Sequence, residues 1–203
     1  MTQYLIPKFP QFMRTLTMSS PLSIFLLISL ILISTYLTTI TTDAAFSEQS
    51  NIMLPSEKLT HLHFYYHDIS NNQNPTIVQI INTPKGVPNG FGTTFVMDDA
   101  MTEGPELSSK EVGRAQGLFA LASLQDLGMT MLTNFAFTEG IFAGSTLSML
   151  GRNLISEQNR EMPIVGGTGV FRFARGYAIA NSVTSISTQE HFIVEYNITV
   201  YHP

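Results

Sequence analysis

The sequence predicts an all-β protein, an eight-stranded antiparallel β-barrel that follows a cleaved N-terminal signal peptide. Three observations carry this reading. From residue 59 onward, apolar and polar residues alternate with period two in short runs rich in β-branched and aromatic side chains. These runs are separated by turn formers such as SNNQNP (70–75), TPKGVPNG (83–90), TEGPELSS (102–109) and IVGGTG (164–169), with no helix-period stretch between them. Regular strands without crossover helices form antiparallel barrels or sandwiches. Glycines at 117, 144 and 176 fall inside predicted strands, where a glycine marks a bend, and bends favour a closed barrel over a flat sandwich. A barrel of about eight strands is wide enough to hold one small ligand.

The predicted strands cover residues 59–68, 76–82, 92–97, 113–122, 129–137, 144–150, 169–180 and 192–201. The segment before them differs in character. Lys8 and Arg14 are the only basic residues among the first 45, PLSIFLLISLILIS (21–34) is apolar, and acidic residues are absent until Asp43. A basic start, an apolar centre and small residues such as Thr42 and Ala44 before a cut have the form of a secretory signal. The apolar run also approaches the length of a membrane anchor. The expected organisation is a signal peptide over 1–44, a flexible segment over 45–58 and a barrel domain over 59–203, with no membrane association after cleavage.

Composition narrows the function. Of 203 residues only 12% are charged, 44% are hydrophobic and the formal net charge is −5, so there is material for a sizeable core but no basic footprint for nucleic acid. There is no cysteine, which excludes thiolate catalysis and disulfides. A secreted domain of this kind rests on its core and on assembly with copies of itself. One glycosylation sequon is present, Asn197-Ile198-Thr199, inside a predicted strand.

The first strand holds the most chemistry. In HLHFYYHDI (61–69), side chains alternate across the strand. Thr60, Leu62, Phe64, Tyr66 and Asp68 share one face, which is apolar and points inward. His61, His63, Tyr65 and His67 share the outer face, where solvent or an interface suits them better than a metal. His67 is too far along the strand to complete a zinc set with the other two, about 13 Å away at strand rise. Asp68 closes the inward row where the barrel opens. It is either a partly desolvated acid facing a ligand or a cap bonded to the next turn's backbone. GGTG (166–169) is no phosphate-binding loop, because no helix follows it, and reads as a hairpin turn. In FRFARG (171–176), strict alternation puts Phe171, Phe173 and Arg175 on one face and Arg172 on the other.

Six ordered motifs resemble plant dirigent proteins: FYYHDI (64–69), VGRAQG (112–117), NFAFTEG (134–140), GSTLSMLGRN (144–153), REMPIVGGTGVFRFARGYA (160–178) and VEYNITVYH (194–202). The resemblance runs from about Leu59 to the end. It implies an eight-stranded barrel, commonly a homotrimer, secreted to the apoplast, that steers the stereochemistry of bound phenolic intermediates in plant secondary metabolism. In one branch the protein guides coupling of phenylpropanoid radicals into lignans, the radicals coming from a separate oxidase such as a laccase or peroxidase. In another it is a lyase that dehydrates an isoflavanol to a pterocarpan through a quinone methide. Neither activity calls for a cofactor or a metal. A barrel that binds ligand or cell wall without chemistry is the third expectation.

Residue by residue, the resemblance assigns catalytic roles to Asp68, at the end of the first strand, and Arg160, ahead of the Gly-rich turn. Where the lignan-forming branch has a second Asp, this chain has Asn153. Where that branch has two tyrosines after RAQG, this chain has Phe119 and Leu121. With Phe64 and Tyr66 from the inward row, these form the expected substrate-binding set. Asn cannot relay a proton and Phe cannot orient a phenol through a hydroxyl. The GSTLSMLGRN and REMP wording stands closer to the other branches, including the pterocarpan-forming one.

Overall fold

The structure is a computed structural model that describes residues 20–40, 56–71 and 73–203. It contains two separate units. The first carries one helix, α1 (Pro21–Ile40), whose sequence holds no charged residue. The expected signal-peptide boundary and most of the 45–58 segment lie outside the described residues.

The second unit is the barrel. Its strands are β1 (Lys58–Ile69), β2 (Ile77–Ile81), β3 (Thr94–Thr102), β4 (Glu111–Leu121), β5 (Gly128–Phe137), β6 (Thr146–Leu154), β7 (Arg160–Thr168), β8 (Arg175–Ser182) and β9 (His191–His202). All pairings are antiparallel, in the order β1-β9-β8-β7-β6-β5-β4-β3, and a further β3–β1 pairing closes the ring. β2 is not a stave of its own. The end of β1 pairs with one part of β3 (Tyr65 with Thr102, His67 with Ala100) and β2 pairs with the rest (Ile77 with Met97, Val78 with Val96). β1 and β2 are therefore one interrupted stave, broken by residues 70–76, and the closed barrel has eight.

The membership of the eight differs from the sequence expectation at two places: the expected 76–82 strand only completes the β1 stave, and β7 takes the eighth place. Residues 164–169 were expected to turn, but Arg160–Thr168 is a strand, and the expected 169–180 strand begins only at Arg175. Pro163, Gly166 and Gly167 hid the strand by composition. Register slips between Ser148–Gly166 and Met149–Ile164, so Val165 is the extra residue of a β-bulge. The turn comes one step later, as a single 3-10 turn at Gly169–Phe171. Strict alternation consequently fails there: Phe171 is fully buried, while Phe173 is exposed with φ 64°.

Inward residues fill one end of the barrel. Phe64 packs edge-on to Phe135 (5.2 Å between centroids) and stacks on Tyr196 (5.8 Å). Phe171, stacked on Phe142 at 4.9 Å and edge-on to His202 at 5.1 Å, plugs that end. Met97, Met101, Met129, Met131, Met149 and Met162 line the interior, and unbranched thioethers fit the irregular gaps between aromatic rings. The wall bends inward at glycines. A Cβ on Gly117 would lie 2.0 Å from the Leu132 carbonyl oxygen, and one on Gly176 would lie 2.0 Å from that of Thr199. Gly144, expected within a strand, instead sits in the turn before β6 with φ 79°.

The outer face of β1 is only partly solvated. His61 Nδ1 and the Thr199 hydroxyl share a hydrogen bond of 3.0 Å, and His63 Nε2 meets Glu195 at 2.8 Å, both at the surface. His67, expected at solvent or an interface, is buried within the unit instead. Its Nε2 lies 2.7 Å from Thr102 Oγ1 and its Nδ1 3.0 Å from His191 Nε2, and burial lowers its pKa to about 4.

Gly117→Ala is expected to destabilise the barrel by about 1–3 kcal/mol, since the strand must shift to admit the methyl group. Gly166→Ala, whose Cβ meets nothing within 4 Å, is the control and leaves the urea midpoint in place. Equal midpoints for both variants would contradict the close-approach reading.

Candidate active site

The end of the barrel away from Phe171 is hollow, with a cavity of about 330 Å³, at the small end of the roughly 300–1,000 Å³ range for small-molecule sites. Its wall is mostly apolar. Phe95 and Phe119, register partners on β3 and β4, stack at 4.9 Å, and Leu121, Met129 and Met131 continue the surface. Into this wall are set a few polar side chains, chiefly Tyr66 and Asp68 from β1, Asn153 from β6, Arg160 from β7 and Tyr196 from β9.

Asp68 is the centre of the arrangement. It follows Phe64 and Tyr66 on the inward row and reaches the cavity at the last turn of alternation. Among the described residues no group hydrogen-bonds its side chain. The turn after β1 is capped by others: Asn71 Oδ1 accepts from the backbone N–H of Gln73 (3.0 Å) and Asn74 (3.1 Å), and the Thr76 hydroxyl accepts from Ile69 N–H (2.9 Å). Of the two roles open to Asp68, the cap is filled by Asn71 and Thr76, and the carboxyl faces the lumen. Burial raises its pKa to about 6. The Arg160 charge, which would lower that value at close range, has no part in the shift, so desolvation decides it.

Arg160 opens β7 opposite Ala180, is buried, and donates from Nε to the Ala180 carbonyl at 3.3 Å. Among the described residues no carboxylate pairs with it. Its charge acts on two phenols, Tyr66 and Tyr196, whose rings lie 5.4 Å apart. Burial drives both phenol pKa values up and the Arg160 charge works against that, so both hydroxyls stay protonated and able to donate. Asn153 is buried and donates from Nδ2 to Met131 Sδ (2.7 Å), and its Oδ1 has no partner among the described residues.

Thus Asp68, Arg160, Tyr66, Phe119, Leu121 and Asn153 come together on one cavity. Phe64 does not line it. Although it lies on the same inward row, it sits one step deeper, 2% exposed among Phe135, Phe137 and Tyr196, and forms the cavity's floor packing. Sequence reading missed Tyr196, although alternation along VEYNITVYH points it inward with Ile198 and Val200. It also missed Asp99, because the third strand was expected to end at Met97 and runs on to Thr102. Asn197 stands exposed on the outside of β9.

This combination, an apolar barrel lumen with a raised carboxyl and a buried arginine, can be set beside known proteins. The family model for dirigent-like proteins matches residues 59–201. The chain belongs to the dirigent family. It is 46% identical over 186 residues to dirigent protein 21 of Arabidopsis thaliana, covering 89% of this chain and 98% of that one. It is likewise 46% identical over 182 residues to pterocarpan synthase 1 of Glycyrrhiza echinata, covering 88% and 92%. The solved structure of the pterocarpan synthase dirigent protein GePTS1 superposes with a TM-score of 0.67 at 46% identity, over 75% of this chain and 89% of the other. That of PsPTS1 gives 0.67 at 47% identity, over 73% and 98%. The fold of this dirigent protein is accordingly the eight-stranded barrel expected from its sequence.

Proposed function

We propose that this dirigent protein acts as a lyase, binding one phenolic benzylic alcohol of isoflavanol type in the barrel and closing it to a pterocarpan-like ring through a quinone methide. The observation that carries the reading is Asp68, a carboxyl that titrates at about 6 in an apolar lumen and is bound to no other group of the described protein. A carboxylic acid with a pKa near the working pH can both give and take a proton. The substrate binds as a phenolate against the Arg160 guanidinium. Asp68 gives its proton to the leaving hydroxyl, the C–O bond breaks, and water departs as the phenolate electrons form the quinone methide. A second phenolic hydroxyl of the same molecule then attacks the exposed carbon, its proton returns to Asp68, and the phenolate is restored on Arg160. The sum is loss of one water, with no redox change. Buried Arg160 supplies fixed positive charge where the oxygen's electron density changes, and the apolar wall keeps bulk water from trapping the intermediate. The likeness to pterocarpan synthases supports this choice.

A second reading, steering of phenoxy-radical coupling with a separate oxidase, is favoured by the stacked Phe95–Phe119 wall, which can shield one face of a bound ring. Incubation with and without a laccase or peroxidase separates them. The lyase works alone, the coupling guide needs the oxidase, and a binding barrel without chemistry does neither. Asp68→Asn is expected to slow dehydration of an isoflavanol by about 10²–10⁴-fold with an unchanged circular dichroism spectrum. Full activity in the folded variant would overturn the proposal.

Assembly belongs to the same reading. Val78, Val96, Leu118, Leu132 and Leu150 are consecutive register partners across β2 to β6 and each is 41–52% exposed, forming an apolar band around one half of the wall. Monomers rarely leave such a band uncovered, and a second and third copy of this chain cover it in a homotrimer. Asn197 on β9 lies four staves from β5 in either direction, so a glycan added on a secretory route projects away from the band. Light scattering on protein secreted by plant cells is expected to give a trimer carrying one N-glycan and lacking residues 1–44, and Leu132→Glu is expected to give monomer. A monomeric parent protein, or retention of residues 20–40, would contradict these expectations.

A further inference from the structure

We propose that Asp68 and Asp99 work as one acid that holds a single proton between two carboxyl groups, with Asp68 presenting it to the lumen and Asp99 acting as the positioning residue behind it. The inference rests on the lyase reading for its catalytic consequence, but the pair itself follows from register. β1 and β3 pair Tyr66 with Met101 and His67 with Ala100, where the paired register ends, and Asp68 and Asp99 are the next residue on each strand. Tyr66 and Met101 both point inward, and alternation gives Asp68 and Asp99 the same inner face. Side chains opposed across a ladder start about 4.5–5.5 Å apart at Cβ, and two like charges there are unfavourable. The ladder breaks at this step because residues 70–76 interrupt the stave, and Thr76 returns to close the gap. Its N–H donates to the Ile69 carbonyl (2.8 Å), its carbonyl accepts from Asp98 N–H (2.8 Å), and its hydroxyl meets Asp99 Oδ1 (2.5 Å).

Asp99 is fully buried, and its Oδ2 has no partner among the described residues. A buried carboxylate with one bare oxygen beside a second carboxyl is relieved by a proton on that oxygen. The groups facing the pair are accounted for on every neighbouring element. Inside the barrel these are Tyr66 on β1 and Tyr196 on β9, with Arg160 on β7 acting on those two phenols, while Asp98 on β3 and Arg114 on β4 reach Asp99 from the outer face. Arg114 is committed to Asp98 at 2.9 Å on the outer face. Asp99 is therefore raised to about 8, chiefly by burial and then by Asp68, against the opposing pull of Thr76, while Asp68 stands at about 6. Between those values the pair carries one proton, and the two steps belong to the pair. Without Asp99 no carboxyl proton remains above the Asp68 step, whereas in the pair the proton held by Asp99 can pass to Asp68 up to the higher step.

The pH dependence of dehydration tests this. The parent protein is expected to hold its rate until about pH 8. Asp99→Asn is expected to match it near pH 5 but to lose rate from about pH 6 upward, falling about tenfold or more at pH 7.5. Stability gives a readout independent of activity. Asp99 has its folded pKa raised above the unfolded value, so the folded state holds the extra proton. Its contribution is fully present below about pH 4 and is lost as pH rises through about 8. The urea midpoint of the parent should therefore fall over that window, and the slope should flatten in Asp99→Asn. If Asp99→Asn does not fold, Thr76→Val removes the hydroxyl that pulls Asp99 down and is expected to move both limbs to higher pH. Unchanged rate profile and unchanged stability slope in the folded variants would overturn the pair. A protein that dehydrates no isoflavanol but keeps the stability slope would overturn the lyase reading and leave the pair standing.

Discussion

Removing the Asp68 carboxyl from water is the interaction on which the interior depends. A carboxylate in an apolar lumen is costly, and the protein meets that cost by letting the group hold its proton near neutrality rather than by pairing it with a cation. Arg160 is kept in the same cavity yet engaged through Nε with the Ala180 carbonyl, leaving positive charge for a ligand oxygen instead of for Asp68. An ion pair between the two would lower the carboxyl pKa, quench both charges, and leave neither acid nor anion site. A carboxyl raised by burial and an arginine left for a ligand share one apolar cavity, and perturbed carboxyls of this kind are found where proton transfer is the task.

The barrel makes this arrangement possible by being filled at one end and hollow at the other. Phe171, Phe142 and His202 plug the first end, and the Phe64–Phe135–Tyr196 cluster raises the floor to the level of Tyr66. Inward glycines on β4 and β8 bring neighbouring backbone close enough to curl the wall. The interrupted β1–β2 stave then opens the ring at the level of Asp68, where Thr76 and Asp99 replace ordinary ladder contacts. The most polar step of the interior thus falls where the sheet is least regular.

Alternation along HLHFYYHDI was enough to find the inward row and its terminal acid, because one residue of register separates a core face from an outer one. The same rule would have found Tyr196. It failed for β7, where Pro163, two glycines and a bulge at Val165 look like a turn while the backbone still pairs with β6 and β8. It failed for Asp99 because two adjacent aspartates read as the end of a strand that in fact continues to Thr102. His67 shows a further limit: its outward direction follows from period two, but its burial comes from His191 and Thr102, distant in sequence. Arg160 and Asn153 were reachable only by resemblance, since neither has a local pattern that aims it into the cavity.

The lumen holds Asp68 as an acid close to neutral pH. Carboxyl-carbon NMR of ¹³C-labelled aspartate in the full assembled protein, with Asp68 assigned by its loss in Asp68→Asn, reads this directly. A titration of Asp68 with an apparent pKa of about 6 is the expected result. A midpoint near the ordinary aspartate value of about 4 would contradict it, showing a solvated or ion-paired carboxylate.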